Sequence, residues 1–115
     1  MKIINKTRGT IITNETIIPT SIIDESLGLL RHKAPTAMLF RTRFGLHTFF
    51  MKYAIDILIL DKENNIAALK ENLIPNQIYL WNPKHNTAIE LPPGTIKKTK
   101  TKPGDKIQMK KEILL

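Results

Sequence analysis

Cysteine is absent from this chain of 115 residues. Its absence excludes a disulfide framework, a thiolate metal site and thiol catalysis. The apolar runs are far shorter than the roughly 20 residues of a membrane-spanning helix, and the N-terminal residues lack the apolar stretch of a signal peptide. We therefore expect a soluble cytoplasmic protein that is not associated with a membrane.

Other missing features narrow the chemistry that the chain could perform. The five glycines are scattered, so there is no glycine-rich phosphate loop. Neither of the two serines, Ser21 and Ser26, belongs to a Gly-x-Ser-x-Gly motif. No two histidines have a metal-ligand spacing. No complete nucleophile–base set is visible, so enzymatic activity stays an open question. We expect neither a metal site nor a cofactor.

Acidic residues are absent between Glu25 and Asp56, an interval that contains several arginines and lysines. With 18 basic and 10 acidic residues the net charge is +8. Two basic clusters could combine in one face for a polyanion such as nucleic acid. The predicted polyanion-binding residues are Arg41, Arg43, Lys97, Lys98, Lys100 and Lys102. The alternative is that the lysines only keep the surface soluble.

The most apolar stretch of the chain, residues 47–61, predicts two central strands. We place them at His47–Lys52 and Ile55–Leu60, with a bend at Tyr53–Ala54. Since neighbouring side chains of a strand point to opposite faces, one of Phe49 and Phe50 is expected in the core.

Polar residues at the ends of these two strands indicate a candidate small-ligand or carbohydrate site. We expect Lys52 and Asp56 to approach each other across the bend and to form a polar cluster with His47. Tyr53 and Trp81 combine an apolar ring with a polar tip, which suits a pocket rim. The predicted ligand-binding residues are His47, Lys52, Tyr53, Asp56 and Trp81.

The remaining chain reads as short strands separated by turns. A hairpin is predicted from Lys2–Thr7 and Thr10–Ile18, and a short helix from Ile22–Arg31. Further strands are predicted at Ala37–Phe40, Ile66–Lys70, Gln77–Trp81, Thr87–Leu91 and Lys106–Met109. One helical turn is predicted within Thr95–Thr101, followed by a type II turn at Lys102–Asp105. This pattern predicts a mainly β protein with residues 1–115 in a single domain, a β-sandwich or barrel with one short α-helix.

Two sequence blocks resemble an uncharacterised family, catalogued as domain of unknown function one-nine-two. The first is His47-Thr48-Phe49-Phe50-Met51-Lys52, with Ile55-Asp56-Ile57 and Asp61 following. The second is Glu90-Leu91-Pro92-Pro93-Gly94-Thr95, with Lys102-Pro103-Gly104-Asp105 following. The resemblance implies a jelly-roll-like β-sandwich with one short helix, and it implies no activity. This chain departs from the family pattern at Ala54, where proline is usual, and near Lys100, where glycine is usual.

The sequence thus leaves two hypotheses for the function. The first is a non-enzymatic binding module whose basic, partly aromatic face meets a polyanion. The second is a small-ligand site around the His47–Asp56 stretch, with an unrecognised enzyme as a variant of it. The oligomeric state cannot be read from the sequence.

Overall fold

Short strands separated by turns make up most of the structure, a computed structural model that describes residues 1–18 and 36–111. The strands are β1 (Lys2–Asn5), β2 (Thr10–Thr13), β3 (Met38–Arg41), β4 (Gly45–His47), β5 (Ile55–Leu60), β6 (Ile66–Leu73), β7 (Ile78–Leu80), β8 (Thr87–Leu91) and β9 (Ile107–Lys110). One short helix, α1 (Thr95–Thr99), lies within the described residues. The expected mainly β fold is confirmed. The predicted helix Ile22–Arg31 lies outside the described residues.

The strands form three antiparallel sheets. A four-stranded sheet in the order β3-β8-β5-β6 is central, a three-stranded sheet has the order β2-β1-β9, and β4 pairs with β7 in a two-stranded ribbon. All six residues of β5 are buried. Five of these six residues are apolar, as is typical of a strand covered on both faces, and Asp56 is the exception.

Alternation along β5 and β8 divides the interior into two cores. The first core joins Leu58 and Ile89 to Ile3, Ile107 and Ile96, so the three-stranded sheet and α1 cover this face. The second core contains residues of the opposite parity, such as Ile57, Ile59 and Ala88. Leu46 of β4 and Tyr79 of β7 pack against the second core. The ribbon and α1 therefore lie on opposite faces of the central sheet.

The predicted strand His47–Lys52 is wrong, because β4 ends at His47 and the chain then turns. Phe49 is 38% exposed and Phe50 83% exposed, so neither is the expected core residue. Thr48 is buried instead. Its Oγ1 donates to the Ile74 carbonyl at 2.7 Å and accepts from the Gln77 amide at 3.0 Å. These bonds hold the loop after β4 against the loop before β7, and the local strand propensity is overridden.

Several other predicted elements are confirmed. The first hairpin forms from β1 and β2, although β2 ends earlier than expected. β8 has the predicted bounds, and α1 falls within the predicted helical turn. In the predicted type II turn, the Asp105 amide donates to the Lys102 carbonyl at 3.1 Å, and Gly104 has φ 88°.

Candidate functional site

Asp56, a predicted ligand-binding residue, is fully buried and bonded to backbone amides. Its Oδ1 accepts from the Asn72 amide at 2.8 Å, and its Oδ2 accepts from the Ile96 amide at 2.9 Å. Ile96 lies in the first turn of α1, where amides lack intrahelical partners. Asp56 thus ties β5 to β6 and to α1, which is a structural role.

The structure does not bring the five predicted ligand-binding residues around one cavity. Tyr53 and Trp81 pack against the second core, whereas Asp56 points to the face of the sheet where Ile96 lies. The Trp81 indole donates to the His85 carbonyl at 2.8 Å. His47 is exposed on the ribbon and Lys52 is exposed in the loop after it. The expected cluster of His47, Lys52 and Asp56 is therefore not assembled.

Glu90 is a buried carboxyl group on the second-core side of β8. The residue is 5% exposed, and its Oε2 has no hydrogen-bond partner among the described residues. Burial disfavours the charged form and raises the pKa of Glu90 to about 8. At neutral pH Glu90 is therefore mostly an uncharged acid. Burial, and to a lesser extent the neighbouring Glu90, raises the pKa of Tyr53.

The predicted polyanion-binding residues fall into two separate groups. Arg41 donates to Thr87 Oγ1 at 2.6 Å at the beginning of β8, and Arg43 donates to the Pro83 carbonyl at 3.0 Å. The four lysines lie in and after α1, which follows the other end of β8 at Leu91. The five residues of β8 span roughly 13 Å at the usual rise of a strand. The two groups thus occupy different ends of the central sheet.

Exposed apolar side chains that the sequence did not predict lie on the ribbon and on the residues that flank β4. We call this group the ribbon surface and define it by five side chains with their exposed fractions: Phe44 71%, Phe49 38%, Phe50 83%, Ile78 61% and Leu80 69%. Arg41, Arg43, Lys52 and Lys84 lie in the two segments that form it, residues 41–53 and 74–85, and these segments contain no Asp or Glu.

Backbone geometry keeps this surface in shape. Gly45 pairs with Leu80 across the ribbon, and a Cβ at Gly45 would lie 2.5 Å from the Tyr79 carbonyl oxygen and 2.6 Å from Leu80 Cδ2. The absence of a side chain therefore lets Leu80 lie across β4. Further along, the rings of His47 and Phe49 stack with centroids 4.9 Å apart and an interplanar angle of 24°.

A second surface feature is a cleft of about 450 Å³ between α1 and β6. We call it the basic groove. Its lining residues are Arg8, Leu69, Glu71, Ile96, Lys97, Lys100, Thr101, Lys102 and Pro103. Three of the four predicted lysines line it, and Lys98 does not. Since Ile96 belongs to the first core, the groove and the ribbon surface lie on opposite faces of the central sheet.

Asp105 anchors the wall of the groove. Its Oδ2 accepts from Arg8 Nε at 3.0 Å, from Asn5 Nδ2 at 2.9 Å and from the Lys102 amide at 2.9 Å. Burial alone would raise the pKa of the Asp105 carboxyl. The hydrogen bonds from Arg8, Asn5 and Lys102 outweigh burial and hold that pKa below its usual value. The carboxylate therefore stays charged and fixes Arg8 in place.

Sequence reasoning missed the residues that complete both surfaces. Arg8 lies between the two strands of the predicted first hairpin, and Glu71 directly follows the predicted strand Ile66–Lys70, so neither position indicates a groove. For Phe44, one sequence feature favoured a place on a basic surface, because the residue follows Arg43 inside the acid-free interval. No sequence feature indicated that Leu80 is exposed, since alternation alone does not say which face of a strand is covered.

The chain belongs to the uncharacterised family described as "Uncharacterized ACR", domain of unknown function one-nine-two, whose model matches residues 4–109. It is 30% identical over 112 residues to the UPF0127 protein PH1112 of Pyrococcus horikoshii, covering 92% of this chain and 96% of that protein. It is also 30% identical over 112 residues to the UPF0127 protein PYRAB11210 of Pyrococcus abyssi, covering 92% and 95%.

A solved structure has the same fold. It is the crystal structure of a protein of unknown function from Novosphingobium aromaticivorans, with a TM-score of 0.75 and 16% identity, and the match covers 95% of this chain and 84% of that one. Two features are absent from residues 1–18 and 36–111. No cluster of three or more side chains suited to holding a metal ion was found there, and no helix there is long and apolar enough to cross a membrane.

Proposed function

We propose that this chain is a non-enzymatic binding module that holds single-stranded nucleic acid against the ribbon surface. The observation that carries the proposal is Phe50, which is 83% exposed and has φ 66°. A bulky residue in the left-handed region costs roughly 1–3 kcal/mol of strain. The backbone conformation of Phe50 belongs to the turn in which the Met51 amide donates to the Thr48 carbonyl at 3.2 Å, but this turn does not require an aromatic side chain, and the ring buries little surface. An exposed aromatic ring suits stacking on a ligand.

Other rings extend this platform. Phe44 is 71% exposed, and the stacked pair of His47 and Phe49 lies on the same ribbon. Stacking of a base on an aromatic side chain is worth about 1–3 kcal/mol per base, and it tolerates any sequence because every base has a π-face. The platform thus favours bases that are unpaired and free to stack.

The charges around the rings favour a phosphate backbone. Arg43 and Lys52 are exposed and lie within two residues of Phe44 and Phe50 in the sequence, and the two segments of the ribbon surface contain no acid. Cations beside aromatic rings are the usual combination in proteins that bind single strands without reading their sequence. A nucleic-acid strand supplies both the bases and the phosphates that this surface complements.

Fluorescence anisotropy with a labelled, mixed-sequence oligonucleotide of about a dozen nucleotides tests the proposal. Phe44→Ala and Phe50→Gly are each expected to weaken binding by roughly fivefold to 150-fold, the equivalent of one lost stacking contact. Ile11→Ala is the matched control, because Ile11 is 51% exposed on β2 and lies on the other side of the central sheet. This variant is expected to bind like the wild type.

Salt dependence separates stacking from simple charge attraction. Arg43→Gln and Lys52→Gln are each expected to reduce the slope of log K against log salt by about 0.7, the value for one phosphate contact on a single strand. The proposal fails if no binding is detected at low salt. It also fails if duplex binds as tightly as single strand and the two phenylalanine variants bind normally.

A further inference from the structure

We infer that the basic groove is a separate binding site for a small organic phosphate. This inference does not rest on the proposed function, because the groove and the ribbon surface lie on opposite faces of the central sheet. Its volume of about 450 Å³ is in the range of small-molecule sites.

The lining of the groove defines the chemical class of the ligand. Among the described lining residues are three lysines, Lys97, Lys100 and Lys102, and one carboxylate, Glu71, while the charge of Arg8 is already paired with Asp105. The three lysines make no ion pair within residues 1–18 and 36–111, so their charges are available to a ligand. A group with two or more negative charges complements this rim.

Part of the groove lining is apolar. Leu69, Ile96 and Pro103 belong to the lining, and we call these three residues the apolar floor. Contact with the apolar floor removes apolar area of a ligand from water, and this is favourable. Inorganic phosphate has no apolar area to bury. The ligand class is therefore a phosphate ester with an apolar or aromatic body.

Lys100 has a backbone conformation that indicates a role beyond stability. It follows α1 with φ 57° and ψ 31°, and its amide donates to the carbonyls of Ile96 and Lys97. Glycine is the residue that this left-handed helix end favours, because it has no Cβ to clash. A lysine here is strained, and what it supplies in return is a positive charge at the groove.

A buried polar network fixes the groove before any ligand arrives. Asn5 donates to Thr101 Oγ1 at 3.1 Å and to Asp105 at 2.9 Å, while Thr99 and Thr101 share a hydrogen bond of 2.7 Å. Arg8 meets both oxygens of Asp105, through Nε at 3.0 Å and Nη2 at 3.2 Å. The chain around Lys100 is therefore held in one shape, which lowers the ordering cost of binding.

Two probes, with inorganic phosphate as the reference ligand, test the site by NMR titration of the full chain at low salt. Inorganic pyrophosphate tests the cations, and 1-naphthyl phosphate tests the cations together with the apolar floor. We expect both to shift the amide signals of Ile96–Lys102, and the naphthyl ester to bind more tightly than inorganic phosphate.

Three variants locate the binding. Lys100→Gly is expected to weaken the binding of both probes by about threefold to fivefold. Its melting temperature is expected to equal or exceed that of the wild type. Glu71→Gln removes the one carboxylate and is expected to strengthen binding. Lys70→Gln is the matched control, because it removes the same charge from β6 outside the groove lining.

The outcomes either support the inference or overturn it. Absence of shifts at Ile96–Lys102 up to millimolar probe overturns it, and so do equal losses in Lys100→Gly and Lys70→Gln. If inorganic phosphate binds as tightly as the naphthyl ester, the organic ligand class is wrong. Because the ribbon surface is unchanged in these variants, their oligonucleotide binding reports separately on the proposed function.

Discussion

Glu90 makes the stability of this protein depend on pH in a direction opposite to that of most carboxylates. Its pKa is about 8 in the folded state, against an ordinary value of 4.5. Between these two values the folded chain holds one proton more than the unfolded chain. The stability that depends on the protonated Glu90 is therefore fully present below about pH 4.5. It decreases as pH rises and is lost as pH passes through the folded pKa near 8.

The size of the effect follows from the two pKa values. Each pH unit in that window costs 1.36 kcal/mol at most, so the whole window corresponds to about 5 kcal/mol as an upper bound. This is a large share of the roughly 5–15 kcal/mol by which natural domains are stable. Glu90→Gln replaces the acid with an amide of similar shape that cannot ionise. We therefore expect it to match the wild type near pH 4 and to be more stable by several kcal/mol near pH 8.

Urea denaturation of both proteins between pH 4 and pH 9 measures this difference. Glu63→Gln is the control, because Glu63 is exposed in the turn after β5 and its substitution is expected to leave the pH profile unchanged. If the wild type and Glu90→Gln lose stability in parallel above pH 5, the buried carboxyl is not the titrating group, and the reasoning from burial is refuted.

Three further substitutions test the contacts that shape the two surfaces. Thr48→Val removes the hydroxyl that joins the loops around Ile74 and Gln77, and it is expected to cost about 1–3 kcal/mol in urea denaturation; Thr48→Ser keeps the hydroxyl and is expected to cost less. Asp56→Ala leaves the buried amides of Asn72 and Ile96 without their acceptor, so we expect a loss of about 3 kcal/mol or more, and faster hydrogen exchange at Ile96; unchanged exchange there would contradict the anchoring role. Gly45→Ala places a Cβ against the Tyr79 carbonyl and is expected to separate β4 from β7, measurable as lost protection of the ribbon amides.

Strands with a clear apolar pattern were predictable from the sequence, and contacts between distant residues were not. The mostly apolar sequences of β5 and β8 favour buried strands, and the Pro-Gly pair before Asp105 favours a type II turn. By contrast, Asp56 bonds to Ile96, which is 40 residues away, and Arg8 bonds to Asp105, which is 97 residues away. No local pattern encodes these partners, because they depend on how three sheets stack.

The failure at residues 47–52 has a specific physical cause. Strand propensity favoured an alternating strand there, but propensity in strands largely measures how side chains pack. Thr48 instead finds three backbone partners in the neighbouring loop, through its hydroxyl and its amide. Because these bonds satisfy buried polar groups, they outweigh the burial of Phe49 and Phe50, which then point outward.

Backbone strain separates the two proposed surfaces from the rest of the described chain. Five residues other than glycine have positive φ: Phe50, Asn64, Asn72, Asn76 and Lys100. Asparagine tolerates this conformation, so three of the five need no special explanation. The other two are exposed side chains, one on the ribbon surface and one at the basic groove. Phe50 closes the turn from Thr48 to Met51 and Lys100 ends α1, so each backbone conformation serves the fold while each side chain stays exposed to a ligand.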